Sequence, residues 1–228
     1  MADLSSVQAD TDQEQASLNG VVDICDTQGT LLQKMTYREG CLDGPTEVFF
    51  SSGGCAQKLM FVGGVLSGSA FIYAEDGNVT QTLTYANNTL NGLATFYKDG
   101  CKTLEVLYVD GLQEGKATYF NPTGEVAAEA FYVSGKLEGM FTFFRDGGTI
   151  VRTSSYVAGK LEGSSVTYYP NCQPLEEALY HADLLEGERR QYYDDGGIKE
   201  VAYFNAGKLQ NSVQFDRKGN VCPPQDNG

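Results

Sequence analysis

Aromatic side chains recur along the chain at an almost constant spacing. Eight of them follow one another at steps of 24 residues, apart from a single step of 23. A period of this length indicates a chain built from one repeated structural unit, which leaves few unique positions for a catalytic site. The members of this aromatic column are Tyr37, Phe61, Tyr85, Tyr108, Tyr132, Tyr156, Tyr180 and Phe204.

Hydrophobic and polar positions alternate with the period of a β-strand before each aromatic. The position two residues earlier is mostly apolar, whereas the positions on either side of it are mostly polar, as Thr82 and Thr84 are around Leu83. This alternation predicts a strand with one buried face and one solvated face. The apolar column consists of Met35, Leu59, Leu83, Val106, Ala130, Ser154, Ala178 and Ala202.

Turn signals bound the strands of every unit. Three residues after each aromatic stands a Gly, Asn or Asp, the residue types that best tolerate positive φ, and this predicts a tight left-handed turn. A second turn falls between two short strands, as at Pro122-Thr123-Gly124, and only Pro170-Asn171-Cys172 lacks its glycine. Each unit therefore reads as a β-hairpin. The first turn column is Gly40, Gly64, Asn88, Gly111, Gly135, Gly159, Asp183 and Gly207.

These patterns predict an all-β fold, an elongated and twisted antiparallel meander of about eight 24-residue hairpins. We expect a repeat domain over residues 18–220, between disordered tails at 1–17 and 221–228. A second aromatic column in the first strand of each hairpin is expected to stack against the first column on the buried face. Its members are Phe49, Tyr73, Tyr97, Phe120, Phe144, Tyr168 and Tyr192.

The spacing of leucines, glycines and aromatics resembles the MORN repeat in its glycine-rich bacterial variant, the kind found in the YwqK-type antitoxin family. The clearest copies run from Gly115 to Leu137, Gly139 to Leu161 and Gly187 to Leu209. The resemblance covers about residues 18 to 220 and implies a hairpin scaffold that binds other proteins. Trp is absent, so functions specific to the form with a Tyr-x-Gly-x-Trp core, such as membrane tethering, are not carried over.

The chain is strongly acidic, with a formal net charge of −14 and a sequence pI near 4.4. Such a charge repels nucleic acid and anionic membranes, so we expect neither as a partner. Two interpretations stay open. The acidity keeps exposed strand edges soluble, or it steers the chain toward a basic protein such as a nuclease toxin.

Candidate chemistry is sparse. The single histidine, His181, follows the structural Tyr180 on the polar side of its strand and has no suitably placed Cys or Ser, and neither a C-x-x-C nor an H-x-x-x-H motif occurs. We therefore expect no catalytic residue, no metal and no cofactor. The six cysteines fall too far apart along the repeat to form disulfides, which predicts free thiols and a reducing compartment.

Seven apolar residues interrupt the polar pattern, and we predict from them a second apolar stripe that faces outward. One interpretation is that these side chains cover backbone between glycines or face the interior of a curled ribbon. The other is a protein-docking surface, because exposed aromatics anchor interfaces. The candidate protein-binding residues are Ile72, Phe96, Tyr119, Phe131, Phe143, Tyr193 and Tyr203.

The sequence thus favours a non-enzymatic interaction protein, an antitoxin or immunity-like scaffold that masks a partner protein. The alternative is a secreted bacterial effector or repeat protein that binds host components. The first nineteen residues have neither a basic n-region nor an apolar h-region, so we expect no classical signal peptide and a cytoplasmic protein. Export by a specialised secretion machine is the alternative, and the oligomeric state stays open.

Overall fold

The computed structural model describes residues 18–223, which form twenty β-strands and no α-helix. The chain divides into two compact units, Met1–Leu112 and Gln113–Gly228. Within each unit the pairing is antiparallel and follows chain order, so the predicted all-β class and its meander of hairpins are confirmed. In the described part of the chain no helix is long and apolar enough to cross a bilayer.

The first unit contains ten strands. The strands Cys55–Val62 and Val79–Ala86 each pair with a neighbour that one residue divides into a short and a longer piece. The strands are β1 (Gly20–Cys25), β2 (Leu31–Arg38), β3 (Cys41–Phe49), β4 (Cys55–Val62), β5 (Val65–Leu66), β6 (Gly68–Tyr73), β7 (Val79–Ala86), β8 (Thr89–Leu90), β9 (Gly92–Lys98) and β10 (Cys101–Val109).

The second unit repeats this arrangement, and its first strand begins at the boundary residue. The last strand is followed by a bridge between Phe215 and Val221 and a hydrogen bond from the Cys222 N–H to the Gln214 carbonyl. The strands are β11 (Leu112–Phe120), β12 (Val126–Val133), β13 (Lys136–Leu137), β14 (Gly139–Phe144), β15 (Ile150–Val157), β16 (Lys160–Tyr168), β17 (Pro174–His181), β18 (Leu184–Tyr192), β19 (Ile198–Asn205) and β20 (Lys208–Gln214). The predicted tail at 1–17 and residues 224–228 lie outside the described residues, and the domain bounds stay predictions.

The turns between repeats have two successive residues with positive φ. Ser134 and Gly135, for example, have φ of 49° and 78°. A two-residue loop of this kind is a type I′ turn, whose twist suits the flanking strands. The predicted left-handed column is therefore confirmed, and the structure adds a second left-handed position before it, where Glu, Ala and Ser also occur.

Each turn between repeats is also bonded to the preceding repeat. The Gly159 N–H donates to the Leu137 carbonyl at 2.8 Å, and the N–H of Ala158 donates to the Glu138 carboxylate at 2.8 Å. The same carboxylate contact recurs from Glu114 to Ser134, from Glu162 to Ala182 and from Glu186 to Ala206. These turn glutamates thus satisfy backbone amides, as their spacing in the sequence suggests.

The turns inside the hairpins have three residues and end in a left-handed position. At Asn121 the side-chain oxygen accepts hydrogen bonds from the N–H groups of Thr123 and Glu125, and Gly124 has φ of 86°. The turn at Gly100 is one residue shorter, because Lys98 pairs directly with Cys101. A register shift between Lys102 and Leu104 follows, at the same place as the shift between Tyr119 and Phe120 in the next hairpin, so the pairing beyond the loop is unchanged. The shorter loop therefore accounts for the single 23-residue step.

The two faces of the sheet differ in burial, and we call them the core face and the open face. The core face carries a line of buried small side chains, with Ala117 opposite Ala130 and Ala94 opposite Val106. The apolar column predicted to be buried lies on this face. Ser154, one of its members, is also buried and shares a 2.9 Å hydrogen bond with Ser165, so its hydroxyl is satisfied.

Cys172 takes the left-handed position of its turn, with φ of 65°, where the other three-residue turns have glycine. A Cβ in this conformation costs about 1–2 kcal/mol, and glycine loses part of that gain to its greater entropy when unfolded. We expect Cys172→Gly to raise the free energy of unfolding by about 0.5–1 kcal/mol above that of Cys172→Ala. Urea denaturation of both variants measures the difference, and equal midpoints would contradict the strain at this turn.

Candidate protein-binding face

Aromatic rings cover the small residues of the core face in the second unit. Phe141 stacks on Phe143 with ring centroids 4.3 Å apart, and it lies 5.9 Å from Tyr119 and 6.2 Å from Tyr156. The hydroxyls of Tyr119 and Tyr132 share a 3.0 Å hydrogen bond. These rings are half-buried, and they shield the small core-face residues from solvent with side chains of the repeats themselves.

Four of the seven predicted docking residues belong to this core face, so the outward stripe predicted from the sequence is wrong for them. Strand alternation explains the placement, since each lies two residues after a core-face position, as Tyr119 does after the buried Ala117. Their position fits the first interpretation, in which these side chains cover backbone or the inner surface of the ribbon, better than a docking surface. These residues are Ile72, Phe96, Tyr119 and Phe143.

The other three docking candidates are not brought together with those four. Phe131 and Tyr203 stand on the open face and are 48% and 46% exposed. Tyr193 is engaged by its own chain, because its hydroxyl donates to the Phe215 carbonyl at 2.8 Å and the Arg217 guanidinium lies 4.7 Å from its ring centre. The outward surface thus keeps only two of the seven predicted residues.

The second aromatic column also departs from expectation. Tyr192 lies on the open face, where its hydroxyl donates to Glu177 at 2.8 Å, so it does not stack on the buried side. The strand glycine Gly187 pairs with Phe204. Gly187, Arg189 and Gln191 therefore lie on the core face, and Tyr192, one residue further along the strand, lies on the open face. The prediction is wrong here because it aligned the rings by type and not by their distance from the strand glycine.

The open face carries an apolar stripe in each unit, of which sequence reasoning identified only Phe131 and Tyr203. Its members stand directly before or after the aromatic column, or directly after the strand glycine. Leu93, at 50% exposed, faces Leu107 across the strands, and Met140 is 52% exposed. Some repeats have Ser or Thr at these positions, so the stripe is not evident when the repeats are aligned and each position is judged by its most common residue type. The stripe comprises Met60, Val62, Leu93, Leu107 and Val109 in the first unit and Phe131, Val133, Met140, Val157, Leu179 and Tyr203 in the second.

Charged side chains flank both stripes and pair across strands. The Lys58 ammonium lies 3.0 Å from the Glu47 carboxylate in the first unit, and Lys116 lies 2.7 Å from Glu129 in the second. These pairs are solvated, so each contributes little to stability. Each pair also cancels one positive charge against one negative charge on the open face.

The single histidine joins the turn contacts of the second unit. His181 Nδ1 lies 2.8 Å from Glu162, whose other oxygen accepts the Ala182 N–H. The bond to Glu162, and then its charge, raise the pKa of His181, while the Ala182 N–H, and then His181, lower the pKa of Glu162. Over residues 18–223 no three His, Cys, Asp or Glu side chains are grouped as metal ligands.

The hairpins β11–β12 and β18–β19 supply the link to known proteins. Residues 113–134 and 185–206 match the model of the MORN repeat variant. Two segments of this chain are therefore MORN-type repeats. Such repeats are in general binding modules, which agrees with the sequence-based expectation of protein binding. The match identifies the repeat type and does not identify the antitoxin subfamily. No curated protein matches the chain.

Solved structures align with the chain at low similarity. S. aureus TarM, crystallised as a mutant with fondaparinux, alpha-GlcNAc-glycerol and UDP, is 10% identical, with a TM-score of 0.19, over 75% of this chain and 23% of TarM. A GtfA/B complex bound to UDP and GlcNAc is 11% identical, with a TM-score of 0.24, over 91% of this chain and 38% of that one. The chain thus spans less than two fifths of either protein, and these scores carry no argument about its fold or function.

The two faces differ in what a phenylalanine contributes. Phe143 stacks in the core-face cluster, so Phe143→Ala is expected to lower the free energy of unfolding by about 1–3 kcal/mol, less than a fully buried ring would. Phe131→Ala, on the open face, should change it by about 0.5 kcal/mol or less. Urea midpoints measured side by side check this, and equal losses would contradict the assignment of faces.

The histidine gives a direct pH readout. Its pKa should lie above the ordinary value of about 6.5, and Glu162→Gln should bring it down toward that value. Since the folded pKa is raised, the stabilisation is fully present below the unfolded pKa and is lost as pH rises through the folded pKa. NMR titration of His181 measures the shift. Glu138→Gln, at the same repeat position without a histidine, should leave it unchanged, and an unshifted wild-type titration would refute the contact.

Proposed function

We propose that this chain is a non-enzymatic scaffold that binds and masks a partner protein, in the manner of an antitoxin or immunity protein. The observation that carries the proposal is the apolar stripe on the open face of each unit. Side chains such as Leu93, Met140 and Leu179 are about half exposed there. Exposed apolar residues that are grouped on one face are typical of interaction surfaces.

The charge of the chain supports a basic partner. Its net charge is −14, and the lysines of the open face at Lys58 and Lys116 are already paired with carboxylates. A basic protein would approach the apolar stripe of a strongly acidic chain, which speeds encounter and disfavours acidic competitors. A nuclease toxin has this chemistry, because it must itself bind nucleic acid.

A scaffold role also fits the use of the polar side chains. Glu114, Glu138, Glu162 and Glu186 each accept a backbone N–H of a turn, and His181 is held by one of them. Groups engaged in this way shape the backbone, and we assign no reaction and no cofactor to them. We place the protein in the cytoplasm, where its six unpaired cysteines would stay reduced.

Co-expression with the product of the neighbouring gene tests the proposal. The wild-type chain should rescue growth and should co-purify with that product. The double variant Phe131→Ser with Leu179→Ser should lose both, with an affinity at least about tenfold weaker and an unchanged thermal midpoint.

The matched control is Thr142→Ala with Ser155→Ala, which changes two polar residues of the same face and should retain rescue. Absence of rescue by the wild-type chain would refute the antitoxin role. Detection of the chain outside the producing cell, with binding to host components, would favour the secreted effector instead.

A further inference from the structure

The open face of the second unit contains a cleft of about 450 Å³ across strands β16, β17 and β18. Val166 and Leu179 supply its apolar wall, and Glu177, Glu188 and Arg190 surround it, with Ser164 at one side. The cleft lies within the apolar stripe, since Leu179 belongs to both. It therefore lies on the face to which the proposed function assigns binding.

The two carboxylates of the cleft are held in place by tyrosines. Glu177 accepts a 2.8 Å hydrogen bond from the Tyr192 hydroxyl through Oε2, and Glu188 accepts one of 2.8 Å from Tyr203 through Oε2. The other oxygen of Glu188 is taken by the Arg190 guanidinium. Oε1 of Glu177 has no hydrogen-bond or ion-pair partner among the described residues, so this carboxylate has a free acceptor.

The repeat itself shows what such a carboxylate pairs with. Two repeats earlier, in the same register, Glu129 stands where Glu177 stands, and Lys116 occupies the place of Ser164. There Lys116 crosses the strands to lie 2.7 Å from Glu129. In the cleft that lysine is replaced by serine and Phe131 by the smaller Leu179, and the cation that lines the cleft, Arg190 opposite Glu177, is bonded to Glu188.

We propose that this cleft receives a lysine or arginine side chain of the partner protein. Its alkyl chain would lie along Val166 and Leu179, and its cation would bond to Glu177 Oε1 in the way that Lys116 bonds to Glu129. The partner thereby supplies in trans the cation that Lys116 supplies in cis two repeats earlier. This inference rests on the proposed function and narrows its partner to a protein with an exposed basic residue flanked by apolar ones.

The test uses a fluorescent peptide of alternating lysine and leucine, and a matched peptide with norleucine in place of lysine. The lysine peptide should shift the backbone amide NMR signals of residues 164, 177 and 188, and its binding should weaken as salt rises. Glu177→Gln should weaken binding roughly two- to fivefold, the range of a solvated ion pair. The norleucine peptide should not distinguish that variant from the wild type.

Ser164→Lys is the decisive variant, because it restores the internal lysine and should close the cleft to the peptide. Ser69→Lys is its control, since Ser69 has the same repeat position and adds the same charge, but Thr82 stands where the cleft has Glu177. Thermal midpoints of both variants verify folding. Peptide binding that is unaffected by Ser164→Lys and Glu177→Gln would overturn the proposal.

The same variants separate this inference from the proposed function. If the neighbouring gene product is neutralised equally well by the wild type and by Ser164→Lys, the scaffold role stands and the lysine cleft is wrong. If the lysine peptide binds the cleft but no neighbouring product is neutralised, the cleft stands and the antitoxin role is wrong.

Discussion

Each unit has to bury its apolar surface with one layer of strands, and the rest of the structure depends on this constraint. Among residues 18–223 the strands of each unit contact mainly their neighbours in the sheet, so no second layer from the same unit covers its core face. The solution is a line of very small side chains, such as Ala94, Ala117 and Ala202, beneath half-buried rings from adjacent strands. A small residue brings little area to bury, and a ring lying over it excludes water from the backbone as well.

The same constraint explains why the junctions between repeats are so regular. A layer one strand thick is held along its length by backbone hydrogen bonds, and the turns add further bonds from one repeat to the next. Asp183, for example, donates its N–H to the Leu161 carbonyl and accepts the Leu161 N–H through its carboxylate. Neighbouring repeats are therefore coupled at both strands and turns, as in other repeat proteins whose units contact only their neighbours.

The fold could be predicted from the sequence because its determinants are periodic. The Gly, Asn and Asp column identified the turns, and the apolar column before Tyr132 identified the buried face. The candidate site was harder, since one residue of offset reverses the face on which a side chain lies. Tyr119 and Tyr192 were exchanged between faces for this reason. Arg189 was also unpredictable, because it occupies a small-residue position and is accommodated by an ion pair with Glu200 and by the ring of Phe204, 5.4 Å away.

The shortened turn at Gly100 shows how this architecture tolerates changes in length. One residue fewer in that loop leaves the strand pairing beyond it unchanged, with the usual irregularity before Leu104, and Val106 keeps its buried place opposite Ala94. Small insertions and deletions at these hairpin tips need not propagate, whereas gain or loss of a whole unit recreates an identical junction. A gene encoding such a chain can therefore grow or shrink by unequal recombination, and natural variants should differ in repeat number more readily than in the spacing within a repeat.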